Sequence, residues 1–152
     1  MRIISILLLS IIAVSANADT IEHYINILDG IPKMEIKADP QAQAWARSAR
    51  NVLTITNETI AETLIQANEL AQTQGKPLFC LPPATQLTPS KMGDIIVDAY
   101  RNISSQRSDK EQLSVSQIAW IGITKSYPCQ QQANQSNGAP FTPPGFQHVT
   151  GR

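Results

Sequence analysis

The chain has two histidines, two cysteines and no surplus of either charge, with 12 basic against 12 acidic groups in 152 residues. Each shortage removes a class of function. Nucleic-acid binding rests on a positive surface that neutralises phosphates, and a balanced chain offers none. His23 lies on the polar side of a helical segment and His148 near the C-terminus. Neither has a cysteine, serine or acidic partner at a motif spacing, so a nucleophile–base pair finds no support. No Gly-rich phosphate loop, His-Glu-x-x-His or Cys-x-x-Cys pattern occurs. The expectation is a protein that is not an enzyme and carries no cofactor or metal.

Long hydrophobic runs are missing as well. The apolar stretch Ile3 to Val14, broken by Ser5 and Ser10, is shorter than the roughly 20 residues a membrane span needs. Arg2 precedes it and Ala16-Asn17-Ala18 follows, with small residues at the two positions a signal peptidase reads. Residues 1–18 therefore read as a signal peptide cleaved after Ala18. No cysteine stands at that site to accept a lipid anchor. The mature chain is expected in the periplasm and off the membrane. Loss of Arg2 leaves 11 basic and 12 acidic groups, a net charge of −1.

What the chain does have is a pair of cysteines in matching settings, Gly75-Lys-Pro-Leu-Phe-Cys80-Leu-Pro82 and Ser126-Tyr-Pro-Cys129. Each follows an apparent helix end and is flanked by proline and an aromatic, which suits a fixed crosslink. In an oxidising compartment two cysteines read as one bridge, Cys80–Cys129. The alternatives are a redox pair, which favours close spacing, or half of a zinc site, which wants four ligands.

Periodicity predicts an all-α fold, a small bundle of about four helices within residues 19–129. The first is short, Thr20 to Asp29, with Gly30 as its stop. The second opens on Asp39 as cap with Pro40 in the first helical position, where its missing N–H costs nothing. Its apolar residues, from Trp45 through Ile60 and Leu64 to Leu70, recur every three or four positions until Gly75 and Pro77 end it. Straight and unbroken, it would be roughly 50 Å long, so a bend or break is expected in Thr54-Ile-Thr-Asn57, where β-branched residues crowd and Asn57 offers a cap. The third starts at Thr88 and Pro89 and carries Met92, Ile95, Ile96, Ala99, Tyr100 and Ile103 on one stripe. The fourth opens on the capping-box spacing Ser108-Asp-Lys-Glu111, with Ile118, Trp120, Ile121 and Ile123 downstream. Trp45 and Trp120, both on apolar faces, are expected in the core.

Residues 130–152 have one charge, Arg152, with glutamine, asparagine and proline prominent. Such a stretch buries too little apolar surface to offset chain entropy, and a disordered tail is expected. Asp94 and Asp98, and Glu58, Glu62 and Glu69, read as solvated helix faces. Leu81-Pro-Pro-Ala-Thr-Gln-Leu87 is different. Two prolines stiffen a loop held by Cys80 at one end and by a helix cap at the other. A rigid loop loses little entropy on binding, so Pro82, Pro83 and Gln86 are the candidate partner-binding residues; the alternative is a plain connector.

The order of signal peptide, long helix, Gly75-Lys-Pro-Leu-Phe-Cys80-Leu-Pro82, a helix carrying Ala99-Tyr100, another helix and Tyr127-Pro128-Cys129 resembles the Rap/Tai group of type VI secretion amidase-immunity proteins. The resemblance covers roughly residues 40–129. It implies a helical periplasmic domain that binds a peptidoglycan-cleaving amidase effector and covers its active-site cleft, often as a homodimer. Cys80 and Cys129 correspond to the disulfide pair. The chain departs from the group at Ser104-Ser-Gln-Arg107-Ser108 and in its long tail. The competing expectation is a non-catalytic periplasmic stress chaperone or envelope-assembly binding protein.

Overall fold

The computed structural model describes residues 19–103 and 109–129. The expected signal peptide, the expected tail and Ser108 lie outside those residues. Among the described residues the fold is all-α, with four helices: α1 (Ile21–Glu35), α2 (Pro40–Thr73), α3 (Pro89–Asn102) and α4 (Val115–Ser126), plus a 3-10 turn at Lys110–Gln112. α1 packs along α2, α3 packs on both α2 and α4, and the four share one core.

Three caps form as the sequence predicts. Asp39 accepts from the N–H groups of Gln41 and Ala42 at the start of α2, and Thr88 accepts from Lys91 N at the start of α3. At the C-terminus of α2, Gly75 adopts φ +71°. Its N–H donates to Gln72 C=O and the Lys76 N–H to Ala71 C=O. This is a Schellman motif, which closes off a helix by occupying its last carbonyls.

Other expectations are corrected. α1 does not stop at Gly30 but runs on through Pro32 to Glu35. Packing overrides the local breakers here: Ile31 is buried, and the indole of Trp45 lies directly over Gly30. A Cβ at position 30 would stand 2.9 Å from the ring. Arg50 of α2 pairs with Glu35 across the same helix pair. Nor does α2 break at 54–57. It is continuous over 34 residues, and Asn57 is a buried interior residue, not a cap.

α4 begins six residues later than Ser108-Asp-Lys-Glu111 suggested, capped by Ser114 and not Ser108. Ser114 and Gln117 form its capping box, while Lys110–Gln112 make only the 3-10 turn. The reason is long-range. Ile21 N–H donates to Leu113 C=O at 2.8 Å and Val115 N–H to Asp19 C=O at 3.1 Å, so the start of α1 is stitched to the start of α4. That pairing holds Leu113 and Ser114 extended and places the helix start at Val115.

The core is mostly aliphatic, with Ile21, Met92, Ile96, Ile118 and Ile123 fully buried beside the aromatic rings of Tyr24 and Phe79. Burying each such side chain contributes roughly 1.5–3 kcal/mol. α3 and α4 approach closely at Gly122, where a Cβ would come within 2.6 Å of Ile95 Cγ2. Cys80 and Cys129 are disulfide-bonded across 49 residues, as expected.

Candidate interaction surface

Beyond Gly75 the chain is held at short intervals. The side-chain carbonyl of Asn68 accepts from Leu78 N–H at 2.7 Å and Phe79 N–H at 3.0 Å. Phe79 is buried. Cys80 N–H donates to Tyr127 C=O at 2.8 Å, beside the disulfide. On the far side Leu87 is buried and Thr88 caps α3. Between these anchors a turn closes with Thr85 N–H donating to Pro82 C=O at 3.0 Å. Pro83 and Ala84 occupy its corners, and Ala84 has φ +68°. A type II turn places proline and then a positive φ at these positions. The structure thus brings Pro82, Pro83 and Gln86 together, all exposed, on one braced loop.

The loop leads into a groove of about 540 Å³ between α1, α2 and the first turns of α3. At its floor the Tyr24 hydroxyl donates to Asn57 Oδ1 at 2.9 Å. Burial pushes the Tyr24 phenol above its ordinary value; the Asn57 hydrogen bond opposes that shift and the nearby Asp94 carboxylate adds to it. No sequence motif marks the groove, because its residues come from three helices.

The aromatic expectations divide. Trp45 is 42% exposed, lying on α1 at the surface instead of inside the core, and Trp120 is only half-buried. A helical repeat places Trp45 on the same outward face of α2 as Val52 and Leu70, with Ile55 beside them; all four are exposed. Lys110 stands over the Tyr100 ring, 4.1 Å from its centroid.

The chemistry-bearing groups remain apart. His23 Nδ1 meets Asp19 Oδ1 at 2.6 Å, an i, i+4 pairing that motif reading overlooked, and both side chains are largely exposed. Asp94, Asp98, Glu58, Glu62 and Glu69 are exposed. No group of three potential metal ligands exists among the described residues, and no described helix is long and apolar enough to cross a membrane. Compared with protein-family models, curated proteins and solved structures, the chain matches none.

Proposed function

We propose that this chain is an exported periplasmic immunity protein, cleaved after Ala18, that binds a peptidoglycan amidase toxin and inhibits it by covering its active site. The observation that carries the reading is the loop Pro82–Gln86. It joins two helices of the scaffold, exposes Pro82, Pro83, Ala84 and Gln86, and is fixed by buried Phe79, the disulfide, buried Leu87 and the Thr88 cap. A segment already held in one conformation enters a cleft with little further ordering, which is how a small inhibitor achieves affinity. The order of cysteine motifs that resembles the amidase-immunity group supplies the partner class.

The test is a pull-down of the oxidised mature chain against the products of its neighbouring genes, followed by hydrolysis of purified sacculi. A stoichiometric complex with an amidase, inhibited by the wild-type chain and escaping when Pro83 and Gln86 are replaced by Asp and Lys, supports the proposal. An amidase that binds but stays fully active, or no amidase partner at all, refutes it.

The outward apolar residues of α2, Trp45, Val52, Ile55 and Leu70, favour a second reading, a stress chaperone that holds unfolded clients on this face. The same face would serve a homodimer. Suppression of client aggregation by the mature chain, lost on Val52→Lys and Ile55→Lys, would favour the chaperone over the inhibitor.

A further inference from the structure

We infer that the groove between α1, α2 and α3 is a docking site for an exposed loop of a partner protein, one carrying an apolar side chain beside a lysine or arginine. The inference goes beyond the inhibitor reading and does not use the partner's identity.

Its centre is the Asn57 carboxamide. Asn57 is 7% exposed, and its Oδ1 is occupied by the Tyr24 hydroxyl. Its Nδ2 has no hydrogen-bond partner among the described residues, yet is not sealed from solvent. A buried amide N–H is an obligate donor, and leaving it unpaired is costly. Gly93 is what keeps it reachable: a Cβ there would stand 2.8 Å from Nδ2. The donor therefore faces the groove through the gap left by the missing side chain.

The surroundings define what would accept from it. Leu28, Leu53, Pro89 and Val97 give the groove apolar walls. An apolar side chain seated there brings its own main-chain carbonyl to the floor, where Nδ2 donates to it. The charge at the rim is one-sided. Arg50 is engaged by Glu35, whereas Asp94, also lining the groove, is exposed and has no ion-pair partner among the described residues. A basic residue next to the apolar one completes that pairing. The groove also continues the surface of the Pro82–Gln86 loop, since Pro89 follows directly on the Thr88 cap.

The test is selection of a phage-displayed library of linear peptides on the oxidised chain of residues 19–152, with affinities of the synthetic selected peptides measured by calorimetry. The expected peptides pair an apolar residue with an adjacent lysine or arginine. Gly93→Ala is expected to weaken them about tenfold or more, the scale of one lost hydrogen bond. Asp94→Lys lies on the exposed rim and spares the core; it is expected to weaken basic peptides and to favour acidic ones. If Gly93→Ala does not fold, Asp94→Lys decides alone. No enriched peptides, or peptides indifferent to the variants, would overturn the proposal. So would a groove filled by a synthetic 130–152 peptide, or by a second copy as read from sedimentation of wild type against Gly93→Ala.

Discussion

Replacing Tyr24 by phenylalanine removes one oxygen from the floor of the groove and little else. Tyr24 is 2% exposed and its hydroxyl donates to Asn57 Oδ1 at 2.9 Å. Without it, Oδ1 is a buried acceptor with no donor, a loss of about 1–3 kcal/mol. Because the groove admits water beside Asn57, the lower part of that range is expected, about 1–1.5 kcal/mol. Asn57→Leu strands the hydroxyl in turn and costs a similar amount. The double variant, apolar on both sides, recovers part of the combined loss, with a coupling energy of about 1 kcal/mol.

The same pair predicts a pH dependence. Burial, reinforced by Asp94 and opposed by the Asn57 bond, raises the folded-state pKa of Tyr24 above its ordinary value of about 10. The neutral phenol is the folded form, so this stabilisation is complete below that value. It is lost as pH rises toward the folded pKa, because the unfolded chain then binds fewer protons than the native one. Urea unfolding from pH 7 to 11 should show the wild type losing stability above about pH 10 and Tyr24→Phe losing less. A Tyr24→Phe variant within 0.3 kcal/mol of wild type, or one with the same alkaline slope, would refute the reasoning.

Three further perturbations address other parts of the fold. Cys80→Ser with Cys129→Ser opens a closed loop of about 50 residues, and loop entropy puts the loss at roughly 4 kcal/mol, read as a lower urea midpoint. Ala84→Gly relieves a left-handed conformation that costs an alanine about 1–2 kcal/mol, partly offset by glycine's greater freedom when unfolded. It should raise the midpoint with an unchanged slope, whereas Ala84→Val should lower it. Gly122→Ala drives a methyl against Ile95 Cγ2 and, at 2.9 Å, the Ile95 carbonyl oxygen. Overpacking of about 1–3 kcal/mol should outweigh the gain in helix propensity of about 1 kcal/mol, and a more stable variant would show that α3 and α4 part easily.

Features set by neighbouring residues were legible in the sequence: Asp39-Pro40, Thr88-Pro89 and Gly75 mark helix ends where the structure has them. The exposed loop at Pro82, Pro83 and Gln86 was legible for the same reason, since its prolines and anchors are adjacent in the chain. Misreadings fall where distant contacts decide. Gly30 resembles a stop until Trp45 is laid on it. Asn57 resembles a cap until Tyr24, 33 residues away, reaches it. Ser108 and Ser114 head equally good capping boxes, and only the backbone bonds from Asp19 and Ile21 fix the start of α4 at the second. The groove draws Tyr24, Asn57 and Gly93 from three helices, a conjunction that no spacing rule can register.

The disulfide also makes the chain partly circular. Its ring runs from Cys80 to Cys129 and contains the exposed Pro82–Gln86 turn together with α3 and α4, while α1 and α2 lie outside it. A protease that nicks the turn between its exposed residues Pro83 and Ala84 therefore releases nothing. Both fragments stay joined through sulfur and migrate as one species until a reductant is added. A chain clipped at this turn would keep its two fragments joined, and the cut would be recognised only by comparing reduced with unreduced material.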